Sequence, residues 1–160
     1  GGAPNTIGVG AASSQGPVFF QRDGITLSSK LVDAPFPSYE QVIPTATDRG
    51  ARVNRQALLE ALRAVSLVAD RTSGVKLAMS GSRIVLTSED PEVGAGMDEL
   101  DAELIGPDVT IGFNSKYLID VLNSLSTEEV QLDLSGELDP GVVRPVGRED
   151  FIGVIMPMRI

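Results

Sequence analysis

The sequence predicts an α+β fold in which an antiparallel sheet carries two helices packed on one of its faces. Apolar residues recur at helical spacing in two segments, Leu58, Leu62, Val65 and Ala69 in the first and Leu118, Val121, Leu122 and Leu125 in the second. Runs of β-prone residues separate these segments and follow the second one. From Asn54 onward the predicted order is helix, strands, helix, strands, which indicates a duplicated helix-plus-strands unit.

Each predicted helix begins directly after an asparagine, Asn54 or Asn114. An asparagine side chain in this position accepts a hydrogen bond from a backbone N–H group that the helix itself leaves unpaired. Burial of each apolar side chain of the second helix contributes about 1.5–3 kcal/mol, so that helix is expected to be held firmly on a sheet.

Turn residues separate pairs of predicted strands. Arg22-Asp23-Gly24 lies between residues 18–21 and 25–29, and Ser80-Gly81-Ser82 lies between residues 75–79 and 83–87. Each set predicts a β-hairpin. Further strands are predicted at residues 97–104, 109–113, 130–134, 142–144 and 151–156.

The region before the first helix predicts a domain boundary. Residues 1–16 are rich in Gly, Ser and Ala, and they indicate a loop-rich remnant of a strand. Pro35 and Pro37 cannot donate hydrogen bonds to a strand ladder, so residues 33–39 are expected to form an extended linker. Because the sequence begins with Gly1 rather than methionine, we expect further residues upstream.

The composition excludes several classes of protein. With 160 residues and 42% hydrophobic content, the chain can form one domain with a full core and part of a second. The absence of histidine and cysteine excludes Ser-His-Asp triads, His-rich zinc sites, disulfides and thiolate chemistry. No apolar run approaches the roughly 18 residues needed to cross a bilayer, so we expect a soluble, cytoplasmic protein without membrane contact.

For a nucleic-acid partner, the distribution of charge along the chain matters more than the net charge. A formal net charge of -9 argues against a nucleic-acid partner, because phosphate binding depends on clustered Lys and Arg. The predicted helices, however, carry Arg55 and Arg63 against Glu60 and Lys116 against Asp120, whereas acids crowd the β segments around Glu89-Asp90, Glu92, Asp98-Glu99 and Asp101. This segregation by element weakens the objection that the net charge raises.

Three segments of the sequence resemble one protein family. They are residues 29–44, which contain Phe36-Pro37-Ser38-Tyr39, residues 111–122, which contain Gly112-Phe113-Asn114-Ser115-Lys116-Tyr117, and the final Val154-Ile155-Met156-Pro157-Met158-Arg159-Ile160. In order and spacing they are similar to the last part of bacterial DNA polymerase III beta subunits, the sliding clamps. Together they extend over most of the chain, which makes the set specific.

The resemblance implies a DNA clamp fold and a non-catalytic role with no cofactor. Residues 1–35 would be the end of the clamp's middle domain, residues 36–48 the linker, and residues 49–160 the third domain. The full-length protein would form a homodimeric ring around double-stranded DNA, which it contacts without sequence specificity. It would dock the replicative polymerase, the clamp loader and repair proteins through short peptide motifs that contain Gln and Leu.

The resemblance also implies three sets of site residues. The peptide-binding groove would contain Pro37, Gln41, Val42, Thr72, Asn114, Tyr117, Val154, Ile155, Met156, Pro157, Met158 and Arg159. The DNA-facing residues would be Arg55, Arg63, Arg71 and Lys116. The dimer interface would include Leu67, Val68, Asp98 and Glu99. Independently of the family, two unbranched methionines around a proline suit a surface that adapts to different partners.

Two other classes of function are open alternatives. A stand-alone adaptor would use the same groove to bind peptides without a ring or DNA. An enzyme with paired carboxylates or Mg²⁺ would use the acids at Asp98, Glu99, Asp101 and Glu103. Charged residues on edge strands more often keep sheets from associating, so the sequence favours the structural role for this cluster.

Overall fold

The computed structural model describes residues 6–11, 16–32, 34–36, 38–69 and 74–159. The chain divides into two compact units, Gly1–Pro37 and Ser38–Ile160. The predicted Pro37, Arg71 and Thr72 lie outside the described residues.

The first unit is a three-stranded antiparallel sheet in the order β1 (Gly8–Ala11), β2 (Val18–Arg22) and β3 (Ile25–Ser29). Strands β2 and β3 form the predicted hairpin, with Arg22 opposite Ile25. Asp23 and Gly24 at the turn have φ values of 49° and 80°, a conformation that fits the right-handed twist of the flanking strands. The first hairpin prediction is therefore confirmed.

The second unit contains nine strands and two helices among its described residues. After a short 3-10 helix at Tyr39–Val42, the elements are β4 (Arg49–Asn54), α1 (Arg55–Ser66), β5 (Gly74–Ser80), β6 (Arg83–Asp90), β7 (Gly94–Asp101), β8 (Glu103–Ile105), β9 (Val109–Asn114), α2 (Ser115–Ser124), β10 (Glu129–Leu134), β11 (Gly141–Pro145) and β12 (Gly153–Ile155). The α+β class is confirmed, and the order of helix, strands, helix, strands holds from Arg55 onward.

The strands of this unit form two antiparallel sheets. The five-stranded sheet has the order β12-β11-β10-β4-β8, and the four-stranded sheet has the order β7-β6-β5-β9. Strands β7 and β8 are consecutive in sequence but belong to different sheets, with Ala102 between them. The predicted second hairpin is β5 and β6, and Gly81 at its turn has a φ of 63°.

Strand β4 was not predicted, although it lies inside the five-stranded sheet between β10 and β8. Its sequence, Arg-Gly-Ala-Arg-Val-Asn, has only Ala51 and Val53 as apolar residues, and both are buried. Its main partner is β10, where Val53 lies opposite Val130. Pairing with a strand so distant in sequence leaves little local signal in β4 itself.

Both helices and both sheets share one hydrophobic core. Helix α1 buries Leu58, Leu59, Ala61, Leu62 and Val65, and α2 buries Leu118 and Leu122. The predicted caps are confirmed, because the Asn54 side chain accepts a hydrogen bond from Ala57 N at 3.0 Å and the Asn114 side chain accepts one from Lys116 N at 3.0 Å. The two helices therefore start where the sequence predicted.

Arg55, the first residue of α1, joins the start of α1 to the end of α2. Its Nε donates a hydrogen bond to Thr127 O at 2.8 Å, and its Nη1 donates one to Leu122 O at 3.2 Å. Carbonyl groups at the end of a helix lack partners within the helix and carry partial negative charge, so a guanidinium is well suited to this position. Arg55 is thus engaged in a structural contact, whereas the bond that Arg63 makes to the described residues is an exposed one, to Asn123 Oδ1 at 3.2 Å.

This difference predicts unequal effects of two matched substitutions. Arg55→Ala should lower the free energy of unfolding by about 1–2 kcal/mol, because two carbonyl groups lose a charged donor. Arg63→Ala, on the exposed face of the same helix, should change it by less than about 0.5 kcal/mol. Urea denaturation followed by circular dichroism would measure both, and equal effects would contradict a structural role for Arg55.

Candidate docking site

The carboxyl-terminal segment crosses from one sheet to the other. Strand β12 pairs with β11 at the edge of the five-stranded sheet, and its last residue is Ile155. Three residues later, Met158 N donates a hydrogen bond to Gly112 O of β9 at 2.8 Å, in an isolated antiparallel bridge. Pro157 lies between them and has no N–H to extend a ladder. The segment therefore connects the edges of the two sheets beside the start of α2.

A depression of about 350 Å³ lies between α2 and this segment, and we call it the apolar depression. It is lined by Tyr117, Asp120, Val121, Val154, Ile155 and Met156. Tyr117 and Met156 are each 59% exposed, whereas Ile155 is 4% exposed and belongs to the core. A Cβ atom at Gly153 would lie 3.0 Å from Val121 Cγ1, so β12 packs closely against α2 here. The depression therefore has a buried floor at Ile155 and two exposed side chains, Tyr117 and Met156.

A second hollow, of about 300 Å³, contains the next part of the segment, and we call it the charged cavity. It is lined by Lys76, Thr110, Ile111, Gly112, Glu137, Leu138, Met158 and Arg159. Lys76 comes from β5, Glu137 and Leu138 come from the loop between β10 and β11, and Arg159 follows the bridge to β9. This cavity combines two cations, one carboxylate and two exposed or half-buried apolar side chains.

A third hollow, of about 380 Å³, contains Gln41 and Val42 of the predicted linker, and we call it the connector hollow. Its other lining residues are Ile43, Pro44, Thr45, Ala46, Ser135, Asp139 and Pro140. Ser135 Oγ donates a hydrogen bond to Ala46 O at 2.8 Å, and Asp48 N donates one to Leu134 O at 3.2 Å. The loop at residues 135–140 therefore stands between the connector hollow and the charged cavity.

The predicted groove residues are distributed over these hollows. Tyr117, Val154, Ile155 and Met156 meet in the apolar depression, and Met158 and Arg159 line the charged cavity. Pro157 is half-buried between the two hollows, and Asn114 serves as the cap of α2 and lines neither. Gln41 and Val42 are exposed in the connector hollow.

Several lining residues were not predicted. Asp120 and Val121 share a helix face with Tyr117, three and four positions along α2, so helical periodicity could have indicated them. Lys76, Thr110, Glu137 and Leu138 reach the charged cavity through strand pairing and a loop. Their positions in sequence carry no comparable signal.

Ion pairs involve most of the cations on the strands. Arg83 of β6 pairs with Glu99 and Asp101 of β7 at 2.8 and 3.6 Å, and on the five-stranded sheet Arg144 pairs with Asp133 at 3.1 Å. Arg52 Nε donates a hydrogen bond to Glu129 Oε2 at 3.0 Å. Within residues 6–11, 16–32, 34–36, 38–69 and 74–159, no group of three or more acidic side chains is arranged to hold a metal ion.

Arginine neighbours lower the pKa of two surface carboxylates, Asp48 and Asp150. The Arg49 guanidinium beside Asp48 holds the pKa of that carboxyl below its ordinary value, mainly through the hydrogen bond between the two side chains. Arg148 lowers the pKa of Asp150 in the same way. Asp48, Arg148 and Asp150 are exposed and Arg49 is half-buried, so these surface pairs neutralise local charge rather than create a reactive group.

The residues predicted to face DNA or a second subunit lie on other parts of the unit. Arg63 and Lys116 are exposed on the two helices. Leu67, just after α1, is 85% exposed, and Val68 packs over β7, where a Cβ at Gly96 would lie 2.4 Å from Val68 Cγ2. Asp98 and Glu99 belong to β7, an edge strand of the four-stranded sheet.

Comparison with known proteins identifies the family. Residues 40–159 match the family described as DNA polymerase III beta subunit, C-terminal domain. The chain belongs to this family. A beta sliding clamp of Pseudomonas putida is 35% identical over 136 residues, which are 84% of this chain and 37% of the relative. The Escherichia coli beta sliding clamp is 33% identical over 134 residues, which are 83% of this chain and 37% of the relative.

Solved structures of DNA polymerase III beta subunits have the same fold. The Pseudomonas aeruginosa subunit superposes with a TM-score of 0.87 at 32% identity, and the match covers 96% of this chain and 42% of that one. A Bartonella birtlesii sliding clamp described as bound to griselimycin gives a TM-score of 0.84 at 34% identity, covering 90% of this chain and 39% of that one. The chain thus spans about two fifths of the length of these clamp subunits.

The burial pattern of the apolar depression predicts that its exposed residues can be changed without loss of the fold. Tyr117→Ala and Met156→Ala should each change the free energy of unfolding by less than about 1 kcal/mol, because both side chains are mostly exposed. Ile155→Ala should cost about 2–4 kcal/mol, because it leaves a cavity in the core. Urea denaturation of the three variants tests this, and an equal cost at Met156 and Ile155 would contradict the assigned burial.

Proposed function

We propose that this chain is the C-terminal part of a sliding clamp, the processivity factor of a replicative DNA polymerase. The proposal rests on the family match and on the apolar depression, whose exposed Tyr117 and Met156 stand over a buried floor. Residues 1–35 would belong to the middle domain, residues 36–48 to the linker and residues 49–160 to the third domain. The complete protein would be a non-catalytic, cytoplasmic homodimer that encircles double-stranded DNA.

The apolar depression is proposed as the place where the polymerase, the clamp loader and repair proteins dock a short peptide. An unbranched methionine can repack around different side chains, and a tyrosine supplies a large contact area with few rotatable bonds. Burial of two or three anchors at about 1.5–3 kcal/mol each, less the cost of ordering the peptide, corresponds to micromolar affinity. Such weak docking allows partners to exchange.

A bound ligand in related clamps supports a docking site in this family. Sliding clamps from Bartonella birtlesii and Pseudomonas aeruginosa are described as bound to griselimycin. We propose that the counterpart in this chain includes the apolar depression, because it brings the largest number of predicted groove residues into one hollow.

Among the described residues, no helix has the length and apolar content needed to cross a membrane.

Peptide binding gives the direct test of this site. The double variant Tyr117→Ala/Met156→Ala should bind a Gln- and Leu-containing peptide at least about tenfold more weakly, because two apolar anchors are lost. Isothermal titration calorimetry would measure the affinity. Met97→Ala is a matched control, because Met97 is 73% exposed on β7, away from the depression, and this variant should bind normally. Undiminished binding by the double variant would contradict the proposed site.

The proposed DNA-facing surface is the exposed side of the helices. Arg63 and Lys116 form no ion pair with a carboxylate among the described residues, whereas Arg49, Arg52, Arg83 and Arg144 of the strands are paired. Cations that are not neutralised locally remain available for phosphates. Glu60 and Asp120 lie on the same helices, so we expect weak contacts that permit sliding.

Salt dependence tests the DNA-facing assignment. In fluorescence anisotropy with duplex DNA, Arg63→Gln and Lys116→Gln should each reduce the slope of log K against log salt concentration by about 0.9, the value for one lost phosphate contact. Arg144→Gln, on β11 of the five-stranded sheet and paired with Asp133, should leave the slope unchanged. If peptide binding persists while no variant changes the slope, the stand-alone adaptor becomes the better proposal.

The proposed ring contact involves the edge strand β7. Leu67, just after α1, is almost fully exposed, and the neighbouring Val68 is packed on β7. Glu99 and Asp101 on β7 carry the charges that Arg83 partly neutralises. We propose that the first domain of a second subunit covers this edge in the complete clamp.

A further inference from the structure

The four methionines of the chain differ widely in their exposure to solvent. Met97 on β7 is 73% exposed and Met156, just after β12, is 59% exposed. Met158 is half-buried, and Met79 on β5 is 3% exposed and belongs to the core. Because an oxidant in solution reaches an exposed thioether sulfur most easily, Met97 and Met156 are the two sulfurs most open to oxidation.

Oxidation of Met156 would change the surface of the apolar depression and leave the core intact. The two-residue period of a strand directs Ile155 into the core and Met156 to the depression. The main chain is held on both sides, by the pairing of Ile155 with Gly141 and by the bridge between Met158 and Gly112. The fold should therefore tolerate an added oxygen atom on this sulfur.

The depression offers few partners to a polar group at this position. Among its described lining residues, Val121, Val154 and Ile155 are apolar. Asp120 ends in a carboxylate, which accepts hydrogen bonds, and the Tyr117 hydroxyl is the one side-chain donor among these residues. Methionine sulfoxide is polar, and its oxygen would lose contact with water when an apolar ligand covered it. Oxidation thus changes an apolar anchor into a group that the depression hardly accommodates.

We propose that Met156 is a peroxide-sensitive modification site, and that its conversion to methionine sulfoxide turns off peptide docking reversibly. This inference rests on the proposed docking function of the apolar depression. In the reaction, the O–O bond of hydrogen peroxide breaks, the sulfur gains one oxygen atom and is oxidised by two electrons, and the other oxygen leaves as water. Methionine sulfoxide reductase reverses the change at the expense of a dithiol, which becomes a disulfide while the sulfoxide oxygen leaves as water.

The size of the effect follows from two losses that act together. The oxidised side chain contributes less apolar contact to the bound peptide, and its oxygen is buried without an adequate partner. We therefore expect the sulfoxide to weaken peptide binding by about tenfold or more. Met97 lies on β7 and does not line the depression, so its oxidation should leave peptide affinity unchanged.

The test compares peptide affinity before and after peroxide treatment of the 160-residue chain. The probe is a Gln- and Leu-containing peptide without methionine, and calorimetry gives its affinity. Peptide mapping by mass spectrometry gives the sulfoxide content at each methionine. The parent chain should lose affinity in proportion to the sulfoxide at Met156, and treatment with methionine sulfoxide reductase should restore it. Circular dichroism should show the same fold throughout.

Leucine variants assign the effect to one sulfur, because leucine has a similar volume and cannot be oxidised in this way. In Met156→Leu, the ratio of affinities before and after peroxide should be close to one, whatever the starting affinity of the variant. Met97→Leu is the matched control, because it removes the other highly exposed sulfur, and it should lose affinity as the parent does. Met158→Leu should also lose affinity, which separates Met156 from its half-buried neighbour.

The outcomes separate this inference from the proposed function. If the untreated chain binds the peptide and the chain with sulfoxide at Met156 binds it equally well, the switch is wrong and the docking site stands. A loss of affinity that persists in Met156→Leu, or one that accompanies unfolding, also overturns the switch. If the untreated chain does not bind the peptide, the docking proposal itself fails and the switch fails with it.

Discussion

The path of the carboxyl-terminal segment between the two sheets determines the geometry of the candidate site. Ile155 fixes one end of this path in the core, and the hydrogen bond from Met158 N to Gly112 O fixes the other end on β9. Ile155 lies opposite Gly141, the first residue of β11, and Pro157 has no N–H to extend the ladder, so the segment leaves the five-stranded sheet at this point. The apolar depression and the charged cavity both lie along this crossing.

The distribution of charge gives the fold and the proposed functions separate sets of residues. On the strands, Arg52, Arg83 and Arg144 are neutralised by acids on neighbouring strands, which keeps the outer faces hydrated without a strong field. Among the described residues of the second unit, the cations without carboxylate partners are Arg55, Arg63 and Lys116 on the helices and Lys76 and Arg159 in the charged cavity. A net charge of -9 is therefore compatible with contacts to phosphates, because such contacts depend on a local excess of positive charge rather than on the total.

Local signals in the sequence account for most of the predicted elements. Asn54 and Asn114 predicted the helix starts because capping involves only neighbouring backbone groups. Asp23-Gly24 predicted a hairpin because the turn conformation also depends on adjacent residues. Strand β4 was not predicted, because its partners β10 and β8 lie far along the chain and Ala51 and Val53 are its only buried apolar residues. Within the site, the family resemblance predicted Tyr117 and Met156. Lys76 and Glu137 were not predicted, because they meet only through tertiary contacts, which no local pattern encodes.

The alternation of side chains at the end of β12 explains how one short segment can serve both stability and docking. Ile155 points into the core, while its neighbours Val154 and Met156 line the depression, as the two-residue period of a strand requires. A shift of one residue would bury Met156 and expose Ile155. The pairing of Gly141 with Ile155 and the bridge at Met158 hold the segment in register on both sides of Pro157. Register, rather than the identity of the exposed residues, is therefore what the fold must preserve, and the identity of Tyr117 and Met156 matters to the proposed docking instead.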